Sequence, residues 1–180
     1  MTGALHAARY RVRQVLAWLR PAMSAPEWER VHAVLGHSSP ALALFYRMMP
    51  ADRRHAVAVL QTLTRRGYAH PALQQAALLH DVGKSLGQPL PHRGLIVLLK
   101  AFWPAALNRL ANAPLNCPGW RRPFVIHARH ADIGAAWAKE AGCLPLAVTL
   151  IQRHQQQPPN RPATLAQTLH RQLYRADGEN

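Results

Sequence analysis

Cysteine is scarce in this chain: two residues, Cys117 and Cys143, in 180. Two are too few for a disulfide scaffold or a thiolate zinc site, so a reducing compartment is the expectation and both read as packing residues. Acidic side chains are scarce too. Eight Asp and Glu stand against 22 Lys and Arg, a formal charge of +14 at pH 7. Charged residues make up only 17%, which argues against a coiled coil or a highly charged tail. Long apolar runs are missing. The longest, Gly94 to Leu107, is interrupted by Lys100 and Pro104 and falls short of the ~20 residues a membrane-spanning helix needs. Met1 to Arg20 carries four arginines and no unbroken apolar segment, so neither a secretory signal nor a transmembrane segment is expected, and a cytoplasmic location is. There is no P-loop, no dinucleotide-binding glycine pattern and no Gly-x-Ser-x-Gly elbow, so kinase, dehydrogenase and serine-hydrolase readings lack support.

What is present points to helices. Hydrophobic residues reach 49%, enough to close a core, and Ala and Leu dominate while Val, Ile and Thr are few. An all-α fold follows, with residues 1–50 as helices packed on a domain spanning 51–180. Val12, Val15, Leu16 and Leu19 mark one face of a first helix. Ser24 with Glu27 forms a capping-box pattern, and Gly36 stops the helix that follows. Ser39-Pro40 opens the next, with Leu42, Phe45 and Met49 on one side. Asp52 reads as the N-cap of a helix reaching Arg66, and Pro71 opens one that leads to His80. Further helices are expected from Gly94 to Trp103, and over 123–130, 133–141, 145–154 and 163–176. Asn112 to Pro123 reads as a loop. The apolar stretch Leu95 to Leu110 reads as a buried helix, with a lid or a weak membrane-contacting surface as alternatives.

Histidine is abundant, with 11 residues. His6, His32, His37, His70, His92 and His170 lie near polar neighbours or helix ends and read as solvated side chains or caps. His80-Asp81 differs. It ends an apolar helix and is followed by Val82-Gly83-Lys84, where a turn lets two consecutive side chains converge. Alone, the dipeptide also fits a C-terminal cap. As a ligand pair, imidazole and carboxylate suit Mn, Fe, Co, Zn or Mg. His55 lies in the first turn of the preceding helix, and antiparallel packing would bring it to His80. Asp177 lies at the end of the last helix. Together these four offer two imidazoles and two carboxylates.

The run Ala76-Ala77-Leu78-Leu79-His80-Asp81-Val82-Gly83-Lys84 resembles the HD-domain metal-dependent phosphohydrolase superfamily. A His lies upstream of the run and an Asp far downstream. His130-Ala131-Asp132-Ile133-Gly134-Ala135 resembles the family's H-x-x-I-G-A element, and Ile151-Gln152-Arg153-His154 its I-x-x-H-H element, with Gln155 in place of the second His. The Gly-Tyr-Pro signature of the cyclic-di-GMP-cleaving branch is absent. The resemblance implies a helical bundle with a metal site between helices, holding one or two divalent ions. His55, His80, Asp81 and Asp177 would hold one metal; His130 and His154 would hold a second, with Asp81 bridging. Lys84 would reach a substrate phosphate, and the substrate would be a small phosphorylated molecule such as a nucleotide. His127, one turn before His130, reads as a ligand, a support for one, or a core residue.

Of the 22 basic residues, 19 are arginine. They read either as solvated surface or as a field that draws in polyanions. Arg53 and Arg54 flank His55 and Arg129 precedes His130, so these could orient a phosphate. A rival reading is a non-catalytic regulatory or nucleic-acid-binding module that uses the arginine-rich surface. A lyase or oxygenase built on a similar di-iron site also fits, because ligands alone do not choose a reaction.

Overall fold

The computed structural model describes residues 23–180. The helix expected around Val12 to Leu19 lies outside them. Among the described residues there are nine α-helices and no strand: α1 (Ala25–Leu35), α2 (Pro40–Arg47), α3 (Pro50–Arg65), α4 (Pro71–Leu79), α5 (Leu90–Phe102), α6 (Pro104–Ala111), α7 (Arg122–Glu140), α8 (Pro145–Arg153) and α9 (Leu165–Glu179). A 3-10 turn, Val82–Leu86, follows α4.

Proline sets the starts. Eight of these helices, α1 to α8, carry Pro at their first or second position, where the missing N–H breaks no helical bond and φ is already suitable. Side chains complete several caps. Glu27 accepts from the Ser24 backbone N–H at 2.8 Å, and Ser39 Oγ accepts from Leu42 N–H at 3.0 Å. Gly36 and Gly67 end α1 and α3 at φ +82 and +75, the left-handed region where L side chains are strained.

Several boundaries differ from the sequence expectation. Asp52 is not an N-cap, because Pro50 starts α3 one turn earlier and Met49 caps it. Met49 is exposed, and Met48 fills the core beside Phe45 instead. The two helices expected over 123–141 are one continuous helix of 19 residues, because Gly134 is buried mid-helix against Val82 rather than placed at a break.

One core joins α1, α2, α3, α4, α7, α8 and α9, with Val31, Phe45, Leu63, Leu73, Leu78, Leu150, Ile151 and Leu173 all buried. Residues before position 51 thus share the core of those after it. Ile96, Leu107 and Phe124 form a small separate cluster under α5 and α6. Leu95, Leu98, Phe102 and Trp103 lie outside it, exposed, so the stretch Leu95 to Leu110 is not a buried helix. Only one face of each short helix meets α7, and the other faces solvent.

The closest packing lies between the 3-10 turn and α7. A Cβ on Gly83 would sit 2.1 Å from the His130 carbonyl oxygen. A Cβ on Gly134 would sit 3.2 Å from Val82 Cγ1 and 3.3 Å from the Gly83 nitrogen. Gly83 has no positive φ; its lack of a side chain serves backbone approach rather than turning. Gly83→Ala should therefore cost about 3 kcal/mol, at the upper end for overpacking, and Gly134→Ala less, because a methyl group can yield. Chemical denaturation of both variants measures this; equal, small losses would contradict the packing account.

Candidate metal centre

Four imidazoles and two carboxylates converge where α3, α4, the 3-10 turn, α7, α8 and α9 meet. His55 projects from the second turn of α3, His80 caps the C-terminus of α4, and Asp81 caps the N-terminus of the 3-10 turn. The helix ends at His80 in αR geometry and the chain turns at Asp81 (φ −99, ψ 3), so the two consecutive side chains meet. His80 Nε2 lies 3.6 Å from Asp81 Oδ2 and 3.4 Å from Asp177 Oδ1. His55 Nε2 lies 2.8 Å from the same Asp177 oxygen. On the other side of Asp81, Oδ1 lies 3.3 Å from His130 Nε2 and 3.7 Å from His154 Nε2. His130 and His154 face one another with Nε2 atoms 3.3 Å apart.

Two ligand groups result, His55-His80-Asp81 and Asp81-His130-His154, and Asp81 belongs to both. Asp177 joins the first through its short distances to both imidazoles. All six metal-ligand candidates named from the sequence are brought together.

The imidazoles are aimed by backbone carbonyls. Nδ1 of His80 bonds the Ala77 carbonyl at 3.0 Å, Nδ1 of His130 bonds the His127 carbonyl at 2.7 Å, and Nδ1 of His154 bonds the Ile151 carbonyl at 2.7 Å. A carbonyl only accepts, so each Nδ1 carries the hydrogen. A neutral ring then presents the bare Nε2 lone pair to the cluster, the arrangement that metal-binding histidines need. His80 Nε2 is fully buried and has no hydrogen-bond partner. A buried polar atom without a partner is costly, and a cation at this position would satisfy it. The donor set of nitrogen and carboxylate oxygen fits a divalent first-row metal or Mg.

The electrostatics set His80 apart from the other rings. Burial pushes His80 toward neutrality, but the Asp81 and Asp177 carboxylates outweigh it and raise the ring to about 9. Burial would raise Asp81; the Lys84 ammonium, with His80 and His130, holds it well below the ordinary carboxylate range instead. Asp177 is lowered likewise, with His80 and His55 overcoming its burial. Burial lowers His154 to about 3, and the charge on His80 adds to this. Lys84 Nζ donates to Asp81 Oδ2 at 2.5 Å and is raised, its burial outweighed by Asp81 and Asp52.

The exposed edge of the cluster is the side carrying His55, Asp177 and Lys84, whose side chains are 23%, 30% and 23% exposed. His80, Asp81, His130 and His154 line the closed side. Arg54 is half-buried beside His55, and Arg129 is exposed one residue before His130. Arg53 turns toward α1, with its guanidinium 5.9 Å above the Trp28 ring. His127 contributes its backbone carbonyl to the orientation of His130, as any residue at that position would. Its own ring belongs to neither ligand group and is lowered to about 4 by burial and by His130. His70 is a cap, accepting from Ala72 N–H at 3.2 Å, whereas His170 is buried rather than solvated.

One ion pair beside the cluster was invisible in the sequence. Asp52, buried at the start of α3, takes two bonds from Arg93 at 2.5 and 2.8 Å, and Arg93 Nε also donates to the Gln88 carbonyl at 3.0 Å. This clamp fixes the segment leaving the 3-10 turn. No local pattern links residues 41 apart, and only spatial proximity finds them.

Neither a protein-family model, nor a curated protein, nor a solved structure matches the chain.

The metal-free protein should show a particular pH response. A His80 raised to about 9 contributes stability that is complete below its ordinary 6.5 and lost as pH rises through 9. The Tm of chelator-treated protein should fall between pH 6.5 and 9.5, and His80→Gln should flatten that fall. An equal fall in both proteins would contradict the assignment.

Proposed function

We propose that the chain is a metal-dependent phosphohydrolase that cleaves a phosphate ester, of a nucleotide or a related phosphomonoester or phosphodiester. The observation that supports this reading best is the shared carboxylate: Asp81 faces one ligand group with each of its oxygens. His55, His80, Asp81 and Asp177 would hold one ion, and Asp81, His130 and His154 a second. Bound divalent ions supply Lewis acidity toward a phosphoryl oxygen and toward the attacking water. The identity of the ion, among Mn, Fe, Co, Zn and Mg, is left open by a mixed nitrogen and oxygen donor set.

The chain's own residues supply the rest. The carbonyls of Ala77, His127 and Ile151 hold three rings in the ligating orientation. Lys84 neutralises Asp81 and stands at the open edge, where its ammonium can turn to a substrate phosphate. Arg54 and Arg129, neighbours of His55 and His130, would hold the outer phosphate oxygens. The buried histidines exclude bulk water from the closed side. The sequence resemblance to HD-domain phosphohydrolases agrees with this assignment of roles, and a cytoplasmic location suits a nucleotide substrate.

Elemental analysis with turnover of a chromogenic phosphodiester tests the reading. His80→Ala with Asp81→Ala should empty the first site and abolish activity, while His154→Ala should mainly weaken the second. Lys84→Ala should raise KM about 10–100-fold, the ~1.5–3 kcal/mol of a charge-assisted hydrogen bond. Full metal content in the double variant would overturn the assignment. Salt-sensitive nucleic-acid binding without turnover would favour the regulatory module instead.

A further inference from the structure

No helix of the described residues is long and apolar enough to cross a membrane. The α5–α6 hairpin nevertheless presents an unusual face. Pro91, Gly94, Leu95, Leu98, Ala101 and Phe102 are exposed on α5, and Trp103 is exposed at the corner before α6. Apart from Lys100, every residue that α5 is seen to expose is apolar. Leu95, Leu98 and Phe102 fall at i, i+3 and i+7, so they form one stripe. Phe102 and Trp103 are 64% and 65% exposed, and Trp120 nearby in the chain is 62% exposed. Large apolar side chains elsewhere on the surface are scattered, whereas here they are contiguous along one helix.

The segment that carries this face has charge of one sign. Residues 82–131 contain no Asp or Glu and seven Lys or Arg. Lys84 and Arg93 are paired with Asp81 and Asp52. Lys100 and Arg109 lie on the hairpin itself, and Arg121 donates to carbonyls of α6 from the following loop. Arg122 opens α7 beside it. A cleft of about 330 Å³ on α6 brings Arg109 and Arg121 together with Trp120.

We infer that the α5–α6 hairpin docks on the surface of an anionic lipid bilayer. The apolar stripe with Trp103 at its end would enter the headgroup boundary, and Arg109, Arg121 and Arg122 would meet anionic headgroups. Interfacial helices combine Trp, Phe and Leu on one face with Lys and Arg around it, and they lie in the plane of the membrane rather than crossing it. At 13 residues, α5 is about 20 Å long, too short to span. Two other occupants fit less well. A nucleic acid could stack bases on Phe102 and Trp103 but would leave Leu95 and Leu98 in water. A second copy would bring like charges together around the stripe.

Co-sedimentation of the full chain with phosphatidylcholine vesicles, with and without roughly one-third phosphatidylglycerol, tests the inference. The chain should bind the anionic vesicles at least roughly tenfold more tightly than the neutral ones, and more weakly as salt rises. Phe102→Ser with Trp103→Ser should lose roughly tenfold or more of that binding. Leu95→Gln with Leu98→Gln is the second variant, should the first not fold. Undiminished binding in a folded variant would overturn the inference. So would failure of the unaltered chain to bind anionic vesicles, including the case where the same substitutions abolish self-association or RNA binding instead.

Discussion

Between the 3-10 turn and α7 there is no room for a single side-chain carbon at Gly83. The backbone of the turn rests against the His130 carbonyl, and Gly134 keeps the next turn of α7 clear for Val82. This contact fixes how far Asp81 stands from His130, and through α7 and α8 from His154. It also leaves Asp81 between two sets of imidazoles, with one oxygen for each. The glycines that border the two ligand segments therefore set the spacing of the cluster from outside it. A Cβ at Gly83 would move the turn and with it the carboxylate that both ligand groups share.

The cluster stores its charge in a demanding way. Two buried or half-buried carboxylates are held ionised by surrounding cationic and imidazole groups, at a cost in desolvation that those groups must offset. Lys84 neutralises Asp81 directly. A protonated His80 does the same for the pair Asp81 and Asp177. A divalent ion would replace that proton, so metal uptake would be coupled to proton release. The rigid backbone carbonyls behind the rings mean that little reorganisation is needed when the exchange occurs.

The all-helical fold was legible because Ala and Leu abundance, caps and prolines act locally: Ser39-Pro40, Pro71 and Gly36 fall where helices begin and end. His55, His80, Asp81 and Asp177 were singled out from the residues, His130 and His154 from the resemblance alone, and the six side chains lie together. What was not legible depends on distance in the chain. Asp52 looked like a cap because its partner Arg93 could not be seen from sequence. Gly83 looked like a turn residue because the carbonyl it approaches lies 47 positions away. Leu95 to Leu110 looked buried because apolarity was taken for burial; the chain covers only one side of that hairpin. His127 was read with three roles for its ring; the ring joins neither ligand group, and only its backbone carbonyl touches the cluster.

The most direct measurement is anomalous diffraction from crystals soaked with manganese, recorded near the metal edge. The account predicts two peaks about 4 Å apart, one among His55, His80 and Asp177, the other between His130 and His154, with Asp81 touching both. An absence of peaks at Asp81, or metal bound only at other residues, would contradict it.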